Sequence, residues 1–238
     1  MKIALIGYGK MGVAIEEMAI QKGHSIAFKI DKSNCTQIKE LNKDNTDIAI
    51  EFSDPSSAVQ NIIYCLQSGI PVVSGTTGWL HDWSKVEEAC MENHGSFFYA
   101  SNYSIGVNIF FKLNERLAKL MEDQDYTVSM EEIHHTEKKD SPSGTAITLA
   151  EPILKLRNLE GWVNEKTDNP NTLGIVSKRE PDVPGTHTIM YQSEIDEIQI
   201  THTAHGRKGF AKGALYVAKW IVQTKASGML SMQDFLKL

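Results

Sequence analysis

The sequence predicts an α/β protein in which a doubly wound, parallel-sheet domain precedes a smaller α+β domain with a mixed sheet. Over the first hundred residues, short apolar strands alternate with segments of helical period, which is typical of a parallel sheet covered on both faces. Beyond residue 104 the strands are longer and alternate apolar with polar positions, which indicates a sheet with one face toward a partner surface. The length of 238 residues suits one large or two small domains.

The first half of the chain contains five candidate strands and two helical segments. The strands are short, apolar and bounded by Gly, Asp, Asn or Pro, at residues 2–6, 26–30, 48–52, 71–74 and 97–100. Apolar residues recur at helical spacing from Val59 to Leu66 and again from Trp83 to Cys90. Strands joined by helices favour a Rossmann-type domain over residues 1–103, completed by a C-terminal helical segment at 209–238.

The second domain is expected over residues 104–208. A helical stripe runs from Ile109 to Leu120, and residues 126–133, 187–192 and 197–205 alternate as strands do. In the first of these strands, Met130 and Glu132 lie on one face. Residues 164–174, rich in Asn, Pro and Gly, are expected to form a loop. Pro152 lies inside a helical segment at 144–157, so we expect that helix to be bent or split in two.

Composition and charge exclude several classes of function. The net charge of −6 argues against non-specific nucleic-acid binding, which needs a basic surface. The three cysteines are far apart and lack zinc-ligand spacing, which favours a reducing compartment. No signal peptide or membrane span is evident. We therefore expect a soluble cytoplasmic protein with neither nucleic-acid nor membrane partners.

A glycine-rich motif of the form GxGxxG follows the first strand and opens the first helix. It consists of Gly7, Tyr8, Gly9, Lys10, Met11 and Gly12. In this context the motif predicts a dinucleotide site, with the pyrophosphate at the helix N-terminus. Asp31, 19 residues further on, would bind the ribose hydroxyls of NAD, and Lys32 could pair with the 2′-phosphate of NADP. The alternative is an ordinary glycine turn with a chance acidic residue nearby.

Two further loops follow the fourth and fifth strands. Because ligands sit beyond the carboxyl ends of parallel strands, both loops are expected to line the nicotinamide half of the site. They contain Gly75, Thr76 and Thr77, and Ala100, Ser101, Asn102 and Tyr103. The alternative is two ordinary turns.

The densest polar chemistry lies between residues 134 and 145. Ser143 is positioned to cap a helix that begins at Gly144 and Thr145, whose free N–H groups would form a pocket for a carboxylate. Lys138 adds a positive charge, and His134 or His135 can exchange a proton near neutral pH. No metal site is expected, because the histidines lack a carboxylate or cysteine at a recognised spacing. The alternative is a solvated charged loop with an ordinary helix cap.

Taken in order, these motifs resemble the 4-hydroxy-tetrahydrodipicolinate reductase (dihydrodipicolinate reductase) family over nearly the whole chain. The most specific is the run His-His-x-x-Lys-x-Asp-x-Pro-Ser-Gly-Thr-Ala at residues 134–146. The resemblance implies an oxidoreductase of lysine and diaminopimelate synthesis that reduces a cyclic imine dicarboxylate with NADH or NADPH. It also implies a homotetramer assembled through the sheets of the second domain.

The resemblance also implies roles for individual residues. His134 matches the general acid, and Lys138 matches a second proton-donating or polarising group. The substrate-carboxylate contacts match His135, Ser143, Gly144 and Thr145. The cofactor contacts match residues 7–12, Asp31, residues 75–77 and residues 100–103. The pair Asp31–Lys32 replaces a Glu–Arg pair of some members, which leaves the preference between NADH and NADPH open, as are the roles of Arg207 and Phe210.

Two other functions are compatible with the glycine loop alone. Another NAD(P)-dependent dehydrogenase would share that loop but would not need the run from His134 to Ala146. A non-catalytic, nucleotide-sensing Rossmann module would bind a dinucleotide without turnover, and it would not need a second anion pocket.

Overall fold

The computed structural model describes residues 1–206 and 208–237. The chain divides into two compact units, one made of residues 1–105 and 208–238 and the other of residues 106–207. Arg207 lies outside the described residues. None of the described helices is long and apolar enough to cross a membrane.

Eleven strands and seven helices occur in the described residues. The strands are β1 (Lys2–Ile6), β2 (Ser25–Ile30), β3 (Ile48–Glu51), β4 (Val72–Ser74), β5 (Ser96–Tyr99), β6 (Thr127–His134), β7 (Gly161–Val163), β8 (Thr172–Arg179), β9 (Gly185–Gln192), β10 (Glu197–Ala204) and β11 (Gly228–Leu230). The helices are α1 (Lys10–Gln21), α2 (Pro55–Gln67), α3 (Trp83–Glu92), α4 (Ile105–Leu120), α5 (Gly144–Leu156), α6 (Lys208–Thr224) and α7 (Met232–Leu236).

The first unit is built on a six-stranded sheet with the order β11-β5-β4-β3-β1-β2, and the strands are parallel, as the sequence predicts. Its strands are almost wholly apolar because both faces are covered. Ile15 of α1 and Ile221 of α6 belong to the apolar cluster on one face, whereas Ile62 of α2 and Val86 of α3 belong to a second cluster. Strand β11 interrupts the segment at 209–238 that was predicted to be helical; a strand of three residues is too short to give a periodic signal.

The order of this sheet creates a crevice at the carboxyl ends of its central strands. Strands β2 and β3 pair with opposite sides of β1, so the connections after β1 and β3 leave in different directions. Such a switch point is where open α/β sheets bind ligands. Three predicted cofactor segments follow the carboxyl ends of strands in this sheet: the glycine loop follows β1, Asp31 follows β2 and the loop at residues 75–77 follows β4.

The second unit carries a five-stranded mixed sheet with the order β10-β9-β6-β8-β7. Strand β6 is central, antiparallel to β9 and parallel to β8. Leu149 and Ile153 of α5 pack with Ile175 and Ile189 of the sheet in one buried cluster. The mixed sheet predicted from the alternating strands is confirmed.

One local prediction for this unit is wrong, and one of the two alternatives given for the helix around Pro152, the split, is excluded. Residues 164–174 are not wholly loop, because β8 begins at Thr172; Gly174 is a strand residue at which a Cβ would lie 2.9 Å from the Glu165 carbonyl oxygen. The segment around Pro152 is not split, since α5 runs unbroken from Gly144 to Leu156. The buried face of α5 outweighs the one backbone hydrogen bond that proline removes.

Candidate active site

The glycine loop adopts a backbone that only glycine fits at two of its positions. Gly7 has a φ of 91° and donates its N–H to the Ile30 carbonyl at 2.8 Å, and a Cβ there would lie 2.0 Å from the Phe52 carbonyl oxygen. A Cβ on Gly12 would lie 2.6 Å from the Gly7 oxygen. Gly9 is the N-cap of α1 and supplies no side-chain cap. The first N–H groups of this helix therefore face no competing side-chain acceptor on Gly9, as a phosphate site requires.

A cavity of about 750 Å³ opens beside this loop, a size suited to a nucleotide. Five of the predicted cofactor residues line it, namely Gly7, Tyr8, Gly9, Asp31 and Lys32. The other lining residues, which the sequence did not predict for this site, are Ile6, Ile30, Ser33, Cys35, Phe52, Ser53, Asp54, Ser56, Ser57 and Asn61. Lys10 and Met11 lie in the first turn of α1, outside this lining.

Asp31, predicted to bind the ribose hydroxyls, and Lys32, predicted to pair with a 2′-phosphate, differ in how they are held. The Asp31 carboxylate accepts hydrogen bonds from the Ser33 hydroxyl at 2.6 Å and the Ser33 N–H at 2.7 Å, which lower the pKa of Asp31. The ammonium of Lys32 lies 3.0 Å from the Asp54 carboxylate in an exposed pair. The carboxylate of Asp31 is thus fixed and ionised, whereas the charge of Lys32 is partly offset.

A buried carboxylate joins the loops that follow β3 and β4. Glu51 accepts hydrogen bonds from the hydroxyls of Ser74 at 2.6 Å and Thr76 at 2.9 Å, and from the Ser53 N–H at 2.9 Å. A Cβ on Gly75 would lie 2.1 Å from the Phe52 ring. Thr76 is therefore a buried brace of its loop, while Thr77 is exposed.

The loop after β5 offers some predicted side chains to solvent and buries others. Ser101 is exposed, and Asn102 accepts a hydrogen bond from the Ser104 N–H at 2.9 Å. Ala100 is buried, and Tyr103 lies in the core with its hydroxyl donating to the Ser74 carbonyl at 2.6 Å. Burial raises the pKa of Tyr103 well above its ordinary value. The side chain of Tyr103 therefore stabilises the loop from inside.

The second unit gathers a polar cluster around one buried carboxylate, that of Glu132. Strand register creates the cluster, since Glu132 pairs with Ser177 on β8 and with His187 on β9. The carboxylate accepts the Ser177 hydroxyl at 2.8 Å and the Ser143 N–H at 3.1 and 3.2 Å. One of its oxygens lies 3.6 Å from Nε2 of His187 and 3.5 Å from Nδ1 of His134.

Hydrogen bonding keeps Glu132 ionised despite its burial. Burial is the largest influence and raises the pKa, but the nearby His187 ring at 3.6 Å and the hydrogen bonds from Ser143 and Ser177 outweigh it and lower the pKa to about 2. These donors occupy both oxygens. Glu132, His134 and His187 place donor atoms within 4.8 Å of one another, a spacing that could hold a metal ion.

His134 is the last residue of β6 and its side chain is only 9% exposed. Its ring lies 5.0 Å from the His187 ring, centroid to centroid. Burial lowers the pKa of His134 to about 4, helped by His187, Lys138 and Arg179 and opposed by Glu132. The imidazole is therefore neutral at pH 7 in the ligand-free protein. His135 lies just beyond the strand, and its buried Nδ1 has no hydrogen-bond partner among residues 1–206 and 208–237.

The N-terminus of α5 has the geometry expected of an anion pocket. Ser143 is confirmed as the N-cap, because its hydroxyl accepts the Ala146 N–H at 3.1 Å; the same oxygen lies 3.2 Å from Nε2 of His187. The N–H groups of Gly144 and Thr145 have no acceptor within the described part of the chain. Two aligned backbone donors at a helix N-terminus suit a carboxylate.

Lys138, the cation predicted for this site, forms an ion pair within its own loop, between β6 and α5. The Lys138 ammonium lies 2.8 and 2.9 Å from the two carboxylate oxygens of Asp140. Arg179 donates to the backbone carbonyls of Asp140 at 2.7 Å and Lys138 at 3.3 Å, which fixes this loop to β8. A substrate carboxylate would have to compete with Asp140 for Lys138.

Sequence reasoning missed four residues of this cluster: Glu132, as a chemical group, and Ser177, Arg179 and His187. The signal for Glu132 was present, since it lies two residues before His134 on the same face of a strand. The other three join through strand register, which a single sequence does not reveal.

Nearly the whole chain is similar to known proteins. Residues 1–103 match the family model for the N-terminus of dihydrodipicolinate reductase, and residues 106–236 match that for its C-terminus. The chain is 49% identical to the 4-hydroxy-tetrahydrodipicolinate reductase of Christiangramia forsetii, over 99% of this chain and 98% of that protein. It is 38% identical to the enzyme of the same name from Nitratidesulfovibrio vulgaris, over 79% of this chain and 75% of the relative.

Among solved structures, the fold is similar to that of a dipicolinate-bound dihydrodipicolinate reductase from Paenisporosarcina sp. TG-14. The TM-score is 0.79 at 20% sequence identity, and the match covers 99% of each chain. An amine dehydrogenase from Mycobacterium smegmatis is similar with a TM-score of 0.61 at 10% identity, over 97% of this chain and 94% of that one. At these identities the structural matches establish the fold alone.

Proposed function

Because the chain belongs to the dihydrodipicolinate reductase family, we propose that it reduces 4-hydroxy-tetrahydrodipicolinate to tetrahydrodipicolinate with NADH or NADPH. The observation that carries the proposal is the 49% identity to a reductase of that name along 99% of the chain. The reaction belongs to lysine and diaminopimelate synthesis. The dinucleotide cavity of the first unit and the anion pocket of the second supply the two binding functions that this reaction needs.

The chemistry balances with one hydride and one proton. The 4-hydroxy-tetrahydro compound loses its hydroxyl as water, a hydride from NAD(P)H adds to the ring, and a proton is added as NAD(P)H becomes NAD(P)⁺. As the hydride adds to a carbon conjugated with the C=N bond, the electron pair moves toward the imine nitrogen. A proton donor and a cation stabilise that developing negative charge.

In the proposed assignment, the first unit binds the dinucleotide. The pyrophosphate binds at residues 7–12 and the N-terminus of α1. The fixed carboxylate of Asp31 binds the adenosine ribose, with Lys32 beside it. The loops at residues 75–77 and 100–103 support the nicotinamide half, with Thr77 and Ser101 as their exposed side chains.

The second unit binds the dicarboxylate and supplies the proton. The N–H groups of Gly144 and Thr145 receive one carboxylate, next to Ser143 and His135. The dianionic ligand raises the pKa of His134 from its ligand-free value of about 4, because negative charge favours the imidazolium. Lys138 exchanges Asp140 for the substrate and polarises it. His134 then delivers the proton.

We propose a homotetramer in the cytoplasm as the working form, on the strength of the family resemblance, with the small dicarboxylate as the partner. The acidic net charge of −6 gives no support to a nucleic-acid partner. Light scattering on the purified protein would measure the assembly, and a mass near the protomer's 26.6 kDa would refute it.

The reaction is tested by making the cyclic imine fresh from pyruvate and aspartate semialdehyde with a separate synthase. Addition of this protein should cause imine-dependent oxidation of NADH or NADPH, followed by absorbance. His134→Ala and Lys138→Ala should each lower turnover by ~10²–10⁴ while NADH binding stays nearly intact. Lys139→Ala, the loss of an exposed neighbouring cation, is the matched control and should keep full turnover.

Two outcomes would contradict this assignment. If NADH binds but is not oxidised in the presence of the imine, the chain is another dehydrogenase or a nucleotide sensor. If turnover falls only a few-fold in both the His134 and Lys138 variants, these residues do not carry the chemistry.

A further inference from the structure

We propose that Glu132 is the positioning residue of the substrate site, fixing the carboxylate-binding turn of α5 and the proton donor His134 from one buried carboxylate. The inference rests on the proposed function and extends it to a residue that touches neither ligand. The carboxylate reaches the helix through Ser143 and the neighbouring strands through Ser177 and His187.

Strand geometry links Glu132 to both halves of the substrate site. Glu132 and His134 lie two residues apart on the same face of β6, so one rigid strand carries both. The Ser143 N–H is a first-turn donor of α5 and is bound by both oxygens of Glu132. The start of α5 is thereby fixed to the strand that ends at His134. The distance between the anion pocket and the proton donor is set by this connection.

Glu132 binds only one of the backbone N–H donors at the start of α5. It binds the N–H of Ser143, whereas the N–H groups of Gly144 and Thr145 have no acceptor among the described residues. His187 and Ala146 engage the Ser143 hydroxyl. The turn is thus held entirely from its buried side, and its two remaining donors are directed to a ligand.

Glu132 also influences the charge of the His134 ring. Glu132 faces it from β6, His187 from β9, Lys138 from the loop after β6 and Arg179 from β8. Glu132 is the anion among these groups and acts against burial and the cations to favour the protonated ring. An ionised carboxylate at a dicarboxylate site repels its substrate, and a buried one costs more than an apolar residue. The contacts of Glu132 with Ser143 and its charge beside His134 account for a carboxylate at this position.

A residue that only stabilises the fold and a residue that positions His134 differ in how their loss changes the pH dependence of activity. Loss of a brace lowers activity equally at every pH. Loss of Glu132 also makes His134 harder to protonate, so the alkaline limb of the pH profile moves to lower pH. The sign follows because the acid form of His134 is required and its pKa falls when the nearby negative charge is removed.

The experiment compares Glu132→Gln with Glu131→Gln. Glu131 is the adjacent residue on the other face of the strand, partly exposed and paired with Lys178 at 2.7 Å, so it matches the loss of charge without touching the cluster. Glu132→Gln should lower kcat/KM for the imine by about 10–100-fold and shift the alkaline limb to lower pH. Glu131→Gln should keep the wild-type profile. Glu132→Asp keeps the charge but shortens the reach, so it should lower kcat/KM with the limb near its wild-type position.

Two outcomes of this comparison overturn the proposal. One is that Glu132→Gln and Glu131→Gln give the same profile. The other is that Glu132→Gln loses activity with its alkaline limb unmoved, as a brace would. If Glu132→Gln does not fold, Ser177→Ala loosens the carboxylate and should raise KM for the imine several-fold; an unchanged KM refutes the proposal.

A measurement without turnover separates this proposal from the function on which it rests. NMR titration of the His134 ring should give a lower pKa in Glu132→Gln than in wild type, and dipicolinate, used as a dicarboxylate probe, should bind more weakly. If the wild type fails to reduce the imine, the proposed function fails while this readout still stands. If the His134 pKa and dipicolinate binding are both unchanged in the variant, the positioning role fails, whatever the reaction.

Discussion

Replacing His134 by asparagine should make the stability of the protein less sensitive to acid. The ring is 9% exposed, and its pKa falls from the ordinary 6.5 to about 4 in the folded chain. The unfolded chain therefore takes up this proton first as the pH falls. Stability due to the neutral ring is fully present above pH 6.5 and is lost progressively between pH 6.5 and 4.

The magnitude follows from the size of the shift. Each pH unit within this interval costs about 1.4 kcal/mol for one proton. Between pH 7.5 and pH 5, His134 alone should lower the free energy of unfolding by about 2 kcal/mol, and by about 3 kcal/mol at pH 4. Glu132 does not interfere at pH 5, because its stabilisation is lost only between pH 4.5 and about 2.

Urea unfolding at pH 7.5 and pH 5, followed by far-UV circular dichroism, measures this loss. The decrease in His134→Asn should be about 2 kcal/mol smaller than in wild type. His24 and His202, whose pKa values burial also lowers, contribute to both proteins and cancel in the comparison. His81→Asn, at a side chain that is 74% exposed, is the control and should keep the wild-type decrease. Equal decreases in wild type and His134→Asn would refute the reasoning.

Two further predictions concern the dinucleotide unit. Asp31→Ala should raise the Kd of NADH more than that of NADPH in fluorescence titrations. The reason is that the fixed carboxylate is proposed to bind ribose hydroxyls and would repel a 2′-phosphate. Equal losses of affinity for NADH and NADPH would show that Asp31 does not contact the ribose. Gly7→Ala should destabilise the protein by roughly 2 kcal/mol or more and abolish dinucleotide binding, since its Cβ would meet the Phe52 oxygen at 2.0 Å. Gly23→Ala, also at positive φ but with open space around it, is the control and should keep dinucleotide binding, which thermal melts with and without NADH would measure.

The sequence is most informative where function depends on local backbone. The glycine motif needs only a strand before it and a helix after it, and both are visible as apolar periodicity. Ser143 could be recognised as a helix cap for the same reason, since a cap is defined by the few residues that follow it. The parallel and mixed sheets were also predictable, because burial on two faces or one leaves different patterns along the strands.

Features that depend on pairing between distant segments were not predictable. Strand β8 was taken partly for a loop because Gly174 signals a turn, whereas the structure uses it where the Glu165 carbonyl approaches the strand. The partners of Glu132 come from β8 and β9, and a shift of register by one residue would turn Ser177 and His187 to the other face. The burial of the Tyr103 side chain in the core likewise depends on packing that its neighbours in sequence do not encode.

Each of the two units contains a buried glutamate that holds the loops around it. In each, one wholly buried glutamate stands on a strand and binds hydroxyl and backbone donors of the loops around it: Glu51 with Ser53, Ser74 and Thr76, and Glu132 with Ser143 and Ser177. A buried carboxylate with several donors is stable only when all of them are in place, because any loss leaves a charge unpaired. The arrangement therefore favours a single conformation of the loops that are proposed to bind anionic ligands, because flexible loops would lose binding energy on ordering.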